Sequence, residues 1–272
     1  MTPCYTAHLF RPLLGELLTL LAGLSPDDWQ KQTVAPAWRV RDVAAHLLDV
    51  KLRKVAVYRD RHFPPVDPPV TDAEVGQLVN GLNAVGVQYG QRLSPQQLID
   101  LLAIAGGWAA DVIDTLPPHD RAIFPVSWAG ESESENWMDT GREYTEWWHH
   151  QMQIRDAVGA AKILLQPQWM TPLLDMSVRA LPYAYRSVDA AVGATVTLNV
   201  VGQTEGSWTL FRGTPSWRIM TGAVEQPSAM VSIAADDAWR LLYNAPVEGS
   251  RITVTGDAAL AAPLSRARSV ML

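Results

Sequence analysis

The chain has 272 residues, of which 48% are hydrophobic and 18% are charged, and its formal net charge is −6. This composition supplies enough apolar material for packed cores and excludes a disordered chain. A negative chain without a basic stripe is not expected to bind nucleic acid. No run reaches the roughly 18 apolar residues of a membrane helix. No basic region with a cleavable apolar stretch opens the sequence, so we expect a cytoplasmic protein without membrane contacts.

Helical periodicity fills the first part of the chain. Leucines recur at spacings of three and four over residues 9–24, and a second helix is predicted over about 39–61. The proline-rich FPPVDPPV ends that helix. A capping-box pattern at Thr71 and Glu74 opens a third helix, and a fourth begins at SPQQLIDLL. With the helix predicted in EYTEWWHHQMQIRDAVG, residues 143–159, these segments predict an antiparallel bundle.

After about residue 165 the pattern changes to strand alternation. Apolar residues alternate in ATVTLNVV, GSWTLFRG, PSWRIMTG, AMVSIAA and RITVTG. Helices are predicted at DDAWRLLYN and over residues 257–272, and a helical segment at 166–188 is assigned to this half. We therefore predict two domains: an antiparallel four-helix bundle at residues 1–165, and a small α+β domain with a mostly antiparallel sheet at residues 166–272.

Histidines and carboxylates are the remaining carriers of chemistry, because the serine nucleophile elbow, the dinucleotide-binding glycine motif and the Walker loop are absent. His46 falls on the apolar stripe of the second helix and should face the bundle core, where Asp49 can accept its ring proton. Glu146 and His150 are one turn apart on one helix face. Together these three can hold a divalent ion with one position open. The alternatives are a hydrogen-bonded core histidine at 46 and a solvent-exposed pair at 146 and 150.

Two stretches resemble a known family. PAWRVRDVAAHLLDV resembles a segment of DinB-like metal-binding bundles, in particular the N-terminal domain of mycothiol-dependent maleylpyruvate isomerases. EWWHHQMQIRDAVG resembles the second signature of that group, and the C-terminal ITVTGDAALAAPLSRARSVML is similar to the end of a sterol-carrier-like domain. The resemblance implies metal ligands at His46, Glu146 and His150. It leaves Glu143 and His149 without a role in metal binding.

The resemblance also implies an activity. Related bundles use a divalent metal and a low-molecular-weight thiol, so we expect a thiol-dependent isomerase or thiol S-transferase that acts on a small electrophile. Zinc suits two histidines and a carboxylate, with nickel, iron and manganese as alternatives, and the thiol is mycothiol or another small thiol. Arg59, Arg92 and Arg251 are candidates for binding an anionic substrate. Gln153 departs from the pattern, since many relatives have an aspartate there, and this change can alter ligand basicity.

Two other functions fit the same residues. A water molecule in the open metal position would make the protein a metal-dependent hydrolase. A vestigial metal site would instead leave a non-enzymatic protein that binds an apolar ligand through its C-terminal half. Thiol-independent turnover would favour the hydrolase, and retention of metal after loss of His46 or His150 would contradict the proposed ligands.

Overall fold

The computed structural model describes residues 1–63, 72–247, 251–267 and 269. Long helices build the N-terminal part: α1 (Phe10–Ala22), α2 (Val40–Tyr58), α3 (Asp72–Gly90), α4 (Pro95–Thr115) and α5 (Asn136–Ala157). Helix α2 packs against α3, α4 and α5, while α1 packs against α4 and α5. The predicted helical bundle is therefore confirmed. The predicted cap at Thr71 lies outside the described residues.

Local sequence explains where these helices begin. Pro95 occupies the first turn of α4, where its missing N–H is not needed. The Ser94 hydroxyl accepts a hydrogen bond from the Gln97 amide at 3.2 Å, and the Gln97 side-chain oxygen accepts one from the Ser94 amide at 2.9 Å. At the start of α2, an Asp42 carboxylate oxygen accepts from the Arg39 amide at 3.0 Å. These bonds satisfy backbone donors that have no partner inside the helix.

A five-stranded sheet forms the C-terminal part, in the order β3-β2-β1-β4-β5. Its strands are β1 (Thr195–Val201), β2 (Gly206–Arg212), β3 (Trp217–Thr221), β4 (Ala229–Ala234) and β5 (Ile252–Gly256). The central pair β1 and β4 is parallel and every other neighbouring pair is antiparallel. All five predicted strands and the mostly antiparallel sheet are thus confirmed, and α8 (Ala235–Leu242) follows β4 directly.

The predicted helix over 257–272 is too long. Helix α9 spans only Ala258–Ala261, with the Asp257 carboxylate accepting from the amides of Ala259 and Leu260, and a 3-10 turn follows at Ala262–Arg266. Pro263 lacks the N–H that an α-helix requires, which explains the early end. Residues 268 and 270–272 lie outside the described part of the chain.

The segment predicted as one helix over 166–188 forms two. Helix α6 (Pro167–Ser177) and helix α7 (Leu181–Ala184) are joined by the 3-10 turn Val178–Ala180. Helix α6 packs against both α5 and α8, and one apolar cluster runs without a break from the bundle through α6 to the sheet. Its members include Tyr144, Trp148, Trp169, Leu173, Leu198 and Trp239. The domain boundary at 165/166 therefore remains a prediction.

Helix α5 is buried along most of its length. Between Asn136 and Arg155 it buries polar side chains as well as apolar ones, among them Asp139, Glu143, His149, His150 and Gln153. Buried polar groups require hydrogen-bond or ionic partners, so this helix organises the polar interior of the protein. Within the described residues, no helix combines the length and apolar character needed to cross a membrane.

We expect two glycines of α3 to respond in opposite ways to alanine. A Cβ at Gly90 would lie 2.2 Å from the Ala45 Cβ, where α2 and α3 approach closely, whereas a Cβ at Gly81 meets nothing within 4 Å. Gly90→Ala should lower the free energy of unfolding by about 1–3 kcal/mol through overpacking. Gly81→Ala should raise it by up to about 1 kcal/mol through helix propensity. Urea unfolding followed by tryptophan fluorescence measures both, and equal effects would contradict this helix contact.

Candidate metal centre

The site is centred on a contact between two imidazoles from different helices. His46 on α2 and His150 on α5 are both buried, and their Nε2 atoms lie 3.0 Å apart. The Trp38 ring covers both, with ring centroids 4.7 Å from His46 and 5.8 Å from His150. The sequence prediction that His46 faces the bundle core is confirmed by its 3% exposure.

Glu146 lies beside this pair. One of its carboxylate oxygens, Oε2, is 3.5 Å from the His150 Nε2, as the one-turn spacing on α5 predicts. Two ligands of a tetrahedral zinc ion at about 2.0–2.1 Å are separated from each other by about 3.3 Å. The distances of 3.0 Å to His46 and 3.5 Å to Glu146 are close to that value. The His150 Nε2 thus contacts both His46 and Glu146, while the ligating atoms that all lie within 4.8 Å of one another belong to Glu146, His149 and His150.

Gln153 determines the proton position on His150. Its side-chain oxygen lies 3.0 Å from the His150 Nδ1 and accepts the hydrogen bond from it. Nδ1 is therefore protonated and points away from the site, and Nε2 is the nitrogen that faces His46 and Glu146. Gln153, which departs from the family pattern, thus supplies the hydrogen-bond acceptor that orients a metal-ligating histidine.

The orientation of His46 has a different origin. Its Nδ1 has no hydrogen-bond partner among the described residues. Asp49, which the sequence analysis considered as its acceptor, forms an ion pair with Arg53 at 2.8 Å instead. Packing against Trp38 and His150 therefore fixes the ring of His46, without a hydrogen bond at its far side.

His149 also lies at the centre, although the sequence analysis gave it no role. Its Nδ1 is 3.9 Å from the Glu146 Oε2, and its ring centroid is 3.9 Å from that of His150. The ligating atoms of Glu146, His149 and His150 all lie within 4.8 Å of one another. The sequence signal that predicts this proximity is the Glu-x-x-His spacing, in which residues i and i+3 share a helix face.

Burial determines the charges at the site. Loss of water lowers the pKa of His46 well below its usual value, with a further contribution from His150. Burial likewise lowers the pKa of His149 to about 3. For Glu146, burial raises the pKa, but the hydrogen bond with His150 and the nearby histidine charges outweigh it and lower the pKa to about 2. The neutral imidazoles of His46 and His149 and the Glu146 carboxylate are donors suited to a borderline divalent metal.

A buried ionic network lies further along the same two helices. Lys54 on α2 is 3.2 Å from an Asp139 oxygen and 3.8 Å from a Glu143 oxygen. Arg142 donates to Asp139 at 2.7 Å and 3.0 Å, and Tyr58 donates to the same carboxylate. Such a network stabilises only when its charges are paired, as they are here.

Glu143 belongs to that network. Its carboxylate accepts from the Trp147 indole at 3.0 Å and lies near Lys54 and Arg142. Because these donors engage both of its oxygens, Glu143 is not free to ligate an ion beside Glu146. Its interpretation as a residue outside the metal set agrees with this geometry.

Lys51 is the least compensated charge of the interior. It has no exposed surface, its Nζ lies 3.7 Å from the centre of the Trp147 ring, and its Nζ has no hydrogen-bond partner among the described residues. Burial lowers its pKa to about 7, against the attraction of Glu143. The cation–π contact compensates only part of the lost hydration.

The three arginines considered for binding an anionic substrate do not contact the candidate centre. Arg59 pairs with Asp60 at 2.7 Å and Arg251 with Asp237 at 2.9 Å, both at exposed positions, and Arg92 is exposed on the turn after α3. None of these contacts involves a residue of the candidate centre. Sequence reasoning missed Lys51, which shares α2 with His46.

Comparisons with known proteins concern the family and the fold. A protein-family model described as the mycothiol maleylpyruvate isomerase N-terminal domain matches residues 10–155. The crystal structure of a mycothiol-dependent maleylpyruvate isomerase matches at 14% identity and a TM-score of 0.52, and a histidine-to-alanine mutant matches at 12% and 0.51. Both alignments cover 93% of this chain and 92% of the other.

A third solved structure matches a smaller part of the chain. A sterol carrier protein 2-like protein from Aedes aegypti covers 34% of this chain and 94% of its own length, at 17% identity and a TM-score of 0.26. A search of curated proteins found no match. The two isomerase structures show that the shared fold extends over both halves of the chain.

Gln153 gives a test of the site. Gln153→Leu removes the acceptor for the His150 Nδ1 proton and should weaken zinc binding about 10–100-fold, the usual effect of losing such a partner. Gln153→Glu keeps an oxygen at the same reach and should bind zinc at least as tightly as wild type. Competition with a chelating dye measures both affinities, and unchanged binding by the leucine variant would contradict this role.

Lys51 makes stability depend on pH. Its pKa is about 7 in the folded protein and about 10.4 in an unfolded chain, so between these values the unfolded state binds more protons. Stability therefore rises with pH across this window, by at most about 1.4 kcal/mol per unit. Lys51→Met should be more stable than wild type at pH 7, and the difference should shrink toward pH 10. Urea unfolding at both pH values tests this, with exposed Lys162→Met as the control.

Proposed function

Because the chain belongs to the family defined by the mycothiol maleylpyruvate isomerase N-terminal domain, we propose that it is a metal-dependent enzyme that uses a small thiol. The reaction is isomerisation of an electrophilic double bond, or transfer of the thiol onto an electrophile. The observation that carries this proposal is the 3.0 Å approach of the His46 and His150 Nε2 atoms beside the Glu146 carboxylate. The range that matches the family model, residues 10–155, includes all three residues.

The residues present fit a divalent ion. Gln153 directs the His150 lone pair into the site, burial keeps His46 neutral, and Glu146 is ionised. His46, Glu146 and His150 would hold the ion, and zinc suits this donor set best, with nickel, iron and manganese as alternatives. When bound, such an ion keeps a thiol sulfur deprotonated near neutral pH and so makes it a nucleophile.

The residues around the ligands prepare this site for a nucleophile. Trp38 lies across both imidazoles and excludes water from that face. The low polarity that results strengthens the interaction between charges in the site. Helices α2 and α5 hold the ligands on rigid elements, which limits the reorganisation needed when a substrate arrives.

Isomerisation requires no reactant besides the thiol and the substrate. A thiolate adds to one carbon of a double bond conjugated with a carbonyl, which leaves a single bond about which the carbon chain rotates. Departure of the same sulfur with its electron pair restores the double bond in the other geometry and regenerates the thiolate. In the transferase variant the sulfur stays on the product. We propose mycothiol as the thiol and a maleylpyruvate-like compound as the first substrate to examine.

A hydrolase is the second candidate, because two histidines and a glutamate are also the protein ligands of some zinc hydrolases. In that reaction water takes the place of the thiol and attacks an ester or amide. The two functions differ in one requirement. The isomerase and the transferase need an added thiol, whereas the hydrolase turns over without one.

Metal analysis tests the ligands. We expect wild type to bind zinc, and we expect His46→Ala and His150→Ala to lose at least about tenfold in affinity. His119→Ala is the matched control, because this exposed histidine bonds to Tyr5 and Glu135 among the described residues and lies outside the candidate centre. Zinc binding that survives unchanged in both site variants would rule out these ligands.

Activity is tested with the zinc-loaded protein. Conversion of maleylpyruvate, followed by absorbance, should require mycothiol or a substitute thiol and should be abolished by His46→Ala. Stoichiometric consumption of the thiol identifies the transferase, and catalytic use of it identifies the isomerase. Turnover of ester or amide substrates without thiol would reject the thiol-dependent function in favour of the hydrolase.

A further inference from the structure

We propose that His149 is a fourth protein ligand, so that the resting centre holds its ion with His46, Glu146, His149 and His150. This inference rests on the proposed metal centre and goes beyond it, because the three-ligand assignment leaves one position open. In this arrangement the position is occupied until a small thiol replaces His149. The centre is therefore closed in the absence of thiol.

The first support is the proximity of His149 to two ligands. Its Nδ1 is 3.9 Å from the Glu146 Oε2, and its ring centroid is 3.9 Å from that of His150 at an interplanar angle of 38°. The ligating atoms of these three residues lie within 4.8 Å of one another. These separations exceed the distance of about 3.3 Å between two ligands of a tetrahedral zinc ion. Small side-chain rotations can close the difference.

The second support is the spacing along α5. Glu146 shares a helix face with His149 at i+3 and with His150 at i+4, so its carboxylate can lie beside both imidazoles. Glu-x-x-His on a single helix is a recurrent way to ligate metals inside helical bundles. His46 on α2 adds a contact from a second helix, with its Nε2 3.0 Å from the His150 Nε2.

The third support is the way His149 is held. Tyr243, from the turn after α8, stacks on its ring at 4.8 Å and 21°, and the Tyr243 hydroxyl bonds to Ser177 at 2.6 Å. On the other side the His149 Nδ1 donates to the Thr145 carbonyl at 3.1 Å. A single hydrogen bond to the helix backbone contributes little net stability, so a metal ion can replace it.

Neighbouring carboxylates do not offer a better fourth ligand. Glu143 is paired with Lys54, Arg142 and Trp147, and Asp139 with Lys54, Arg142 and Tyr58. Breaking either set would leave buried cations uncompensated, at a larger cost than moving one neutral imidazole. His149 is the ligand that the centre can recruit with the smallest loss.

Nuclear magnetic resonance of wild-type protein tests the proposal without any substitution. The chain has six histidines, and 15N labelling of their rings reports which nitrogens bind an ion. With zinc alone we expect three coordinated histidines, assigned to His46, His149 and His150. With excess 2-mercaptoethanol we expect two, with the His149 signal returning to its metal-free position. Only two coordinated histidines in zinc-loaded, thiol-free protein would overturn the proposal while leaving the three-ligand centre intact.

A variant supplies the second readout. His149→Phe keeps an aromatic ring against Tyr243 but cannot ligate, and it should bind zinc at least about tenfold more weakly than wild type when thiol is absent. With 2-mercaptoethanol present the two affinities should converge, because the thiol then occupies the fourth position. His119→Phe is the matched control and should match wild type in both conditions.

The outcomes separate this proposal from the proposed function. Equal zinc affinity of His149→Phe and wild type without thiol overturns the fourth ligand only. Absence of zinc binding by wild type overturns both. Thermal unfolding of the metal-free variant checks that the substitution leaves the fold intact. If the variant does not fold, the NMR spectra of wild-type protein alone test the fourth ligand.

Discussion

The meeting of His46 and His150 depends on the packing of α2 against α5. Two buried imidazoles from different helices contact each other here through their Nε2 atoms. The rest of the polar interior is arranged around the same pair of helices. The ionic network of Lys54, Asp139 and Glu143 joins α2 to α5 further along and fixes their relative positions. The ligand geometry is therefore a property of the helix pair as a whole.

Periodicity was sufficient to predict most of the fold. Apolar spacing located α1, α2 and all five strands, and the same argument placed His46 toward the core. The ends of helices were predicted less well. Pro263 ends α9 early, and a 3-10 turn divides the segment at 166–188. Local breaks of this kind depend on how neighbouring elements pack, which spacing in a single sequence does not report.

The candidate site was predicted in part. Helical spacing brought Glu146 and His150 together, apolar periodicity made His46 the third candidate ligand, and family resemblance favoured this set over one that includes His149. The proximity of His149 follows from the same spacing, yet it was set aside because the resemblance assigned it no role. The burial of Lys51 was not predicted, because it opens the basic segment KLRKVAVYRDRH, residues 51–62. A run of basic residues on a helix usually marks a solvated face. Only the three-dimensional structure shows that this lysine turns inward over Trp147.

The apolar cluster that runs from the bundle into the sheet has a consequence for evolution. Trp148 on α5 packs edge-on against Trp239 of α8, and Tyr243 reaches His149 from the same C-terminal region. A bundle inherited with a different C-terminal partner would lose the surface that shields these side chains. The two halves of such a gene are thus constrained to change together, and recombination between distant relatives at the junction would be selected against.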